Sequence, residues 1–308
     1  MIMDAHPCSR VPIFDAWRTL RKGFKLKVDP VVSIVIPTKN SARFLAACLQ
    51  SVEDQTYPEI EVLVVDGQSA DETLSIATQY GATVMQYDPK LAAGIFDAPH
   101  RRNHGASQAL GEFVYYVDAD MELQPRVVSE AVALCISGAA AVIIAEDSFG
   151  VGIWARAKNL ERRCYWGDNT IEAPRFFRKV IWEELGGLDE SLGGGGDDWD
   201  LHEKLKEKGY LVSRSDAIVL HNEGALRLKD LMKKRFMYGR DSARYLVKRP
   251  VAGMRSYFPI RAAYLRHWRL FIGRPSDAFA FVVMRTAEYA SGLMGMIYTS
   301  IRRPKVSR

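Results

Sequence analysis

The stretch RRNHGASQALGEFVYYVDAD, residues 101–120, decides the fold. Residues 101–110 read as a helix that Gly111 ends, and EFVYYVD (112–118) reads as a buried strand whose last residues carry two carboxylates, Asp118 and Asp120. A helix running straight into an apolar, β-branched and aromatic run is half of a βαβ repeat, so the rest of that repeat should lie upstream.

It does. VVSIVIP (31–37) is a second buried strand, closed by Pro37. Ser41 is placed to cap a helix whose apolar face is Phe44, Leu45, Cys48, Leu49 and Val52. IEVLVVD (60–66) is another buried strand, DETLSIATQY a helix with Gly81 as its stop, and ATVMQY (82–87) a further strand. Downstream, Pro125 suits a first helical position and AAVIIAE (140–146) completes five strands. Strands alternating with helices predict an α/β fold with a mainly parallel sheet. The second half is less regular. A helix is expected near 154–163, a strand end at RFFRKV (175–180), a loop at GGGG (193–196), a helix over DDWDLHEKLKEKGY and a strand over LVSRSDAIVLH (211–221).

Composition sets the outer limits. The chain has 308 residues, 48% of them hydrophobic and 26% charged, which argues for a globular protein and against disorder or a coiled-coil rod. Cys8, Cys48, Cys135 and Cys164 are scattered, so neither a disulfide framework nor a zinc site is expected, and no secretory signal is visible. Charge is unevenly spread. From Arg227 to Arg308 there are 19 lysines and arginines against four acids, in a chain whose net charge is only +5. Such a tail suits an anionic surface or substrate. Nucleic acid is not the expected partner, because no helix-turn-helix, zinc-finger or RNP pattern accompanies the charge.

Ligands of open parallel α/β sheets bind at the carboxyl ends of the strands. PTKN (37–40), DGQSADET (66–73) and DADME (118–122) all fall at such ends, so three polar clusters converge on one sheet edge. Asp118 and Asp120, at i and i+2, repel each other unless a cation sits between them. Hard carboxylate oxygens suit Mg2+ or Mn2+, which would also bind the phosphates of a nucleotide. Neither GxxxxGK[ST] nor a GxGxxG after the first strand is present, which argues against a P-loop NTPase, and against a dinucleotide dehydrogenase. A sugar nucleotidyltransferase should carry a Gly-rich loop after the first strand, where PTKN stands.

VSIVIPTKN, LVVDGQSADET, RRNHGASQALGEFVYYVDAD and GGGGDDWDL, in that order, resemble an inverting family-2 glycosyltransferase of GT-A fold, from about Val31 to His221. The resemblance implies a Rossmann-like mixed sheet in a catalytic domain over 31–225, after a basic arm (1–30) and before a basic helical region (226–308). It implies that Pro37, Thr38, Asn40 and Asp66 hold nucleobase and ribose, and that Arg102 and Asn103, with Arg101 beside them, approach the donor. It places Asp120 on the metal, Mn2+ or Mg2+, with Asp118 on ribose or the metal shell and His221 completing that shell. The family's Glu-Asp pair falls on Asp197 and Asp198, with Asp in place of the usual Glu at 197; the second position is the expected base. Trp199 beside it suits stacking on an acceptor sugar, and the glycine run suits a loop that closes over the substrates.

The implied donor is a UDP- or GDP-linked sugar. The basic tail points to a lipid-linked or membrane-borne glycan acceptor, with the enzyme lying on an anionic membrane at the cytoplasmic face. Residues 277–301 are apolar but broken by Arg285 and Glu288, a pair at i, i+3, and the uncharged run 289–301 is shorter than the ~20 residues of a span. This segment is therefore expected to lie in the membrane interface, Arg302, Arg303, Lys305 and Arg308 facing the headgroups. The arm, in which Arg10, Arg18, Arg21 and Lys22 alternate with Phe14, Trp17 and Phe24, is either an amphipathic helix or a loose extension. A polyprenyl phosphate acceptor would need no base, and the acids opening the 197–210 helix favour a hydroxyl. An inactive nucleotide-sugar-binding relative would be expected to have lost these carboxylates.

Overall fold

The computed structural model describes residues 29–302 apart from 93, 195 and 260. The N-terminal arm and Arg303, Lys305 and Arg308 lie outside the described residues. In chain order the elements are β1 (Val32–Thr38), α1 (Ala42–Glu53), β2 (Ile60–Asp66), α2 (Thr73–Gln79), β3 (Thr83–Gln86), α3 (Ala98–Gln108), β4 (Phe113–Tyr116), β5 (Met121–Leu123), α4 (Val127–Ile136), β6 (Ala141–Ile143) and β7 (Glu146–Val151). They continue with α5 (Ile153–Tyr165), β8 (Phe176–Arg178), α6 (Lys179–Glu184), α7 (Asp197–Glu207), β9 (Val212–Arg214), β10 (Val219–Ala225), α8 (Leu228–Lys248), α9 (Pro250–Tyr257), α10 (Ala262–Arg266), α11 (Trp268–Ile272) and α12 (Pro275–Arg302).

The main sheet has seven strands in the order β3-β2-β1-β4-β8-β6-β9. It is parallel except at β8, which runs antiparallel to both neighbours. The expected mainly parallel α/β sheet is therefore present. Alternate residues of each strand feed opposite faces. Ile34, Ile36, Val64 and Tyr115 pack with Leu45, Leu49 and Val132 of α1 and α4 on one face. Val35, Val65, Val114 and Tyr116 pack with Ala106, Trp182, Leu201 and Leu205 of α3, α6 and α7 on the other.

A second, three-stranded sheet, β5-β10-β7, lies beyond the strand ends. It accounts for two departures from the sequence reading. The strand expected at 140–146 is only Ala141–Ile143, because the chain leaves the main sheet and Glu146 begins β7 of the second one. The strand expected over 211–221 is likewise two, β9 in the main sheet and β10 in the small one. β10 places His221 opposite Met121, and the Asn222 N–H donates to the Asp120 carbonyl at 2.7 Å. The last strand is thereby fastened to the carboxylate turn.

Local expectations fared unevenly. Gly81, at φ +67°, follows α2 as a stop should. Gly111 is not a helix stop: α3 has already ended, and a Cβ there would come within 2.6 Å of the Val31 carbonyl oxygen. Pro125 lies just ahead of α4 rather than in its first turn. Ser41 stands at the N-terminus of α1 but makes no side-chain cap; its Oγ accepts from Lys39 N–H at 3.2 Å.

The basic region after β10 is not set apart from the catalytic domain. α12 packs along α8 and α5 through Ala157, Leu160, Leu231, Phe281 and Met284. Arg285 and Glu288 do pair, but they do so inside this layer. Glu288 also meets Lys158 at 3.4 Å and Arg235 at 3.2 Å, and Arg285 meets Glu161 at 2.8 Å. The outer side of α12 is an exposed apolar row of Phe279, Val282, Leu293, Met294, Ile297 and Ile301. Among the described residues no helix is long and apolar enough to cross a membrane.

Candidate functional site

Asp118 follows β4 and sits between two guanidiniums. Arg102 of α3 donates to its Oδ1 at 2.6 Å, and Arg175, which immediately precedes β8, donates to its Oδ2 at 3.1 Å. The antiparallel return of β8 pairs Phe176 with Tyr115, and so delivers Arg175 to the sheet edge. Both guanidiniums lie over the Tyr116 ring, 4.8 and 5.4 Å from its centre. Burial alone would raise the Asp118 carboxyl; Arg102 and Arg175 outweigh it and hold the group well below the usual carboxylate range. With both oxygens engaged by arginine, Asp118 is not placed as a direct metal ligand here.

Asp120 is different. Its Oδ2 lies 3.1 Å from His221 Nε2. Two ligands at about 2.1 Å from an octahedral Mg2+-sized cation, at right angles, stand about 3.0 Å apart. Asp120 and His221 thus have the spacing of neighbouring ligands. Arg162 Nη2 donates to His221 Nδ1 at 2.8 Å, so the ring proton lies on Nε2 and is given to Asp120; a cation bound between the two side chains would take the place of that proton. Among the described residues no group of three or more His, Cys, Asp or Glu could hold a metal ion. A cation here would rest on two side chains and take its other ligands from phosphate and water, the usual habit of Mg2+.

Asp197 and Asp198 open α7 after the glycine run. Asp197 is buried, with its Oδ2 3.4 Å from Arg102 Nη1, so Arg102 bridges the strand-end carboxylate and the helix. Burial, then the charge of Asp198, pushes Asp197 up to about 7. Burial also raises Asp198, though Arg175 and Arg102 hold it back. Both carboxyls are thus harder to ionise than a free aspartate. Gly193, Gly194 and Gly196 are packed rather than open. Gly193 and Gly196 have φ of +58° and +114°, and a Cβ on Gly196 would strike the Tyr245 ring at 2.8 Å.

These groups line connected spaces. A cleft of about 870 Å3 runs over the strand ends past Pro37, Asn40, Arg101, Arg102, Asp118, Asp120 and His221. It continues into a chamber of about 310 Å3 where Asp118, His221, Asp197, Asp198 and Trp199 meet. Not every expected residue faces the cleft. Thr38 and Asp66 are buried and bonded to each other at 3.0 Å, Asp66 also accepting from Ser69 N–H at 2.8 Å; they shape the loop from behind. Asn103 turns away: it donates to the Leu188 carbonyl and Glu190 and accepts from Leu188 N–H, so it fastens the loop before the glycine run. Asn40, at φ +50°, reaches the cleft wall while its Oδ1 accepts from Ala70 N–H.

Residues that the sequence reading missed are mostly cations and their partners. Arg175 balances Asp118 against Glu146, which it meets at 2.8 Å. Lys234 of α8 faces the cleft with its Nζ 5.7 Å from the Tyr238 ring centre, its ammonium raised by Tyr238 and by Asp120 and Asp118. Phe96 packs edge-on to Tyr238 across the cleft mouth. Arg175 was visible only as a cation abutting a Phe-Phe strand, and Lys234 only as part of the tail's surplus charge.

The chain matches the family model for Glycosyl transferase family 2 over residues 33–189. It is 28% identical over 223 residues to a PGL/p-HBAD biosynthesis glycosyltransferase of Mycobacterium bovis, covering 68% of this chain and 83% of that protein. It is also 28% identical over 226 residues to the glycosyltransferase AglE of Haloferax volcanii, covering 68% and 72%. Its fold is similar to that of the mannosyltransferase PcManGT from Pyrobaculum calidifontis, solved with GDP-Man and Mn2+, with a TM-score of 0.62 over 93% of each chain at 18% identity.

Removing the shared cation should expose how much the strand-end network depends on it. Arg175→Met leaves Asp118 with Arg102 alone and Glu146 with Arg162 in a setting that has lost one buried cation. Urea unfolding is expected to show a loss of about 3 kcal/mol; a loss within the ~0.5 kcal/mol typical of surface changes would contradict the assignment.

Proposed function

This chain belongs to glycosyl transferase family 2, and we propose that it moves a sugar from a nucleoside-diphosphate donor to an acceptor hydroxyl with inversion at the anomeric carbon. The observation that carries this reading is the meeting of Asp118, His221 and Asp198 in one chamber at the end of the donor cleft. UDP- or GDP-linked sugars are the donors considered, and the solved relative with GDP-Man and Mn2+ supports the combination of nucleotide sugar and divalent cation.

In this reading the nucleoside lies against Pro37, Asn40 and Arg101, and its diphosphate against Asp120 and His221. Asp120 and His221 are the residues that would hold Mn2+ or Mg2+, which would supply positive charge against the diphosphate. Lys234 faces the same space and adds a fixed cation. Asp118, clamped by Arg102 and Arg175, is left to orient rather than to ligate. Asp198 takes the proton of the acceptor hydroxyl. The oxygen forms its bond to the anomeric carbon as the bond to the diphosphate breaks, and the nucleoside diphosphate departs with the electron pair. Asp197, pushed up by burial and by the charge of Asp198, resists placing a second negative charge beside the base.

We further propose a membrane-borne glycan or lipid-linked acceptor, with the enzyme lying peripherally on an anionic membrane at the cytoplasmic face. The tail's basic surplus and the exposed apolar row of α12 support it.

Two measurements test these readings. Transfer should weaken toward acid with a midpoint above the ordinary aspartate value of about 4, because burial raises Asp198 and protonation removes the base. Asp198→Asn should lower the rate by about 10²–10⁴-fold and flatten that limb, with nucleotide binding retained; near-normal turnover would favour an already ionised phosphate acceptor. The full-length chain should float with anionic vesicles at low salt, whereas a chain that stays in the soluble fraction has no such membrane role.

A further inference from the structure

Beyond Asp198 the central chamber opens into a third space of about 330 Å3 that the donor has no reason to enter. Its near wall is Asp198 and Trp199, its sides are Tyr238 and Tyr257, and its far wall is Leu293 and Met296 of α12. Trp199 and Tyr257 meet edge to face, with centroids 5.4 Å apart. Apart from Asp198, the charged residues that border it are tied into ion pairs and hydrogen bonds, Glu288 standing in the same wall as two of its partners. Arg285 is paired with Glu161 and Glu288, Arg235 with Glu288, and Arg261 donates to the Ser256 carbonyl at 2.6 Å. Between these polar groups, most of the surface the space offers an occupant is ring and aliphatic carbon.

The shape of this space is set by glycine. α8 and α12 touch backbone to backbone: a Cβ on Gly239 would collide with the Gly292 carbonyl, and one on Gly295 with the Phe236 carbonyl. Gly292 itself is open, since the nearest atom to its Cβ would be the Arg235 carbonyl oxygen at 3.7 Å. Leu293 lines the cavity and is also 58% exposed in the apolar row of α12. The cavity is therefore continuous, at Leu293, with the surface that would meet a membrane.

We propose that this cavity seats the apolar, non-sugar portion of an amphiphilic acceptor, with the acceptor hydroxyl held at Asp198 and the chain leaving past Leu293. The assignment rests on Asp198 being the base of the transferase. It gives the aromatic wall a purpose, since flat rings receive both sugar faces and hydrocarbon. It also gives the basic helical region a part in acceptor choice as well as in location.

The test uses the full-length protein and a series of β-D-glucosides (methyl, butyl, hexyl and octyl) below their micelle concentrations, with binding read by calorimetry. Affinity should rise about fourfold per methylene until the cavity is full. Gly292→Leu, which puts a side chain into the open direction, should reduce the octyl compound to the affinity of the methyl one, with Mn2+-dependent nucleotide binding unchanged. Met296→Trp should do the same from the next turn, should the first variant not fold. Equal affinity of methyl and octyl glucosides for the wild type would overturn the proposal. So would a chain-length dependence that survives in a folded filled variant, because the alkyl group would then be resting on the outer face of α12. Neither result depends on donor binding, so a failure of the transferase reading would appear separately, as absence of nucleotide binding by the wild type.

Discussion

The carboxylate of Asp118, held between Arg102 and Arg175, is the interaction on which the rest of the site depends. Each arginine comes from a different element and has a second obligation. Arg102 reaches on to Asp197 at the start of α7, and Arg175 to Glu146 at the start of β7. One ion cluster thus ties the edge of the main sheet, the helix bearing the candidate base and the small sheet bearing His221. A buried charge without a partner is costly, so each member constrains the others. The arrangement also separates two roles that a DxD motif leaves merged: Asp118 is neutralised by protein, and Asp120 is turned to His221 and toward the cleft.

The parts that were legible in the sequence are those set by short-range pattern. The apolar runs of β1, β2 and β4 and the polar residues at their ends follow from periodicity and turn chemistry, and they are enough to place Pro37, Asn40 and the Asp118–Asp120 turn on one edge. Long-range pairing was not legible. Nothing in RFFRKV says that β8 returns antiparallel beside β4, yet that return delivers Arg175. Nothing local in AAVIIAE says that Glu146 changes sheets. Asn103 shows the opposite failure: a polar residue beside a functional arginine turns to the other side of α3, because successive residues on a helix point about 100° apart. The family resemblance named Asp197, Asp198 and His221, which pattern alone would have left as cap residues and a strand histidine.

The C-terminal region was read from its charge, and much of that charge faces inward. Lys234 lines the donor cleft, and Arg235 and Arg285 neutralise Glu161 and Glu288 between α5, α8 and α12. Gly239 and Gly295 bring the backbones of α8 and α12 into contact, Gly194 and Gly196 lie against the Tyr238 and Tyr245 rings, and a cavity is left beside Asp198. The same helices therefore do three things: wall the cleft over the strand ends, shape the space beyond Asp198, and present an apolar face outward. That economy is why truncating the region is not a neutral change.

The central claim is that Asp120 and His221 form, with a nucleoside diphosphate, a divalent-cation site at the strand ends. Calorimetric titration of UDP, GDP and dTDP, each with and without Mn2+, into the wild type and Asp120→Ala tests it most directly. The account predicts that one nucleotide binds tightly only with Mn2+ and that Asp120→Ala abolishes the metal-dependent part. Binding that is indifferent to Mn2+ and to Asp120, or no binding by any of the three, would contradict it.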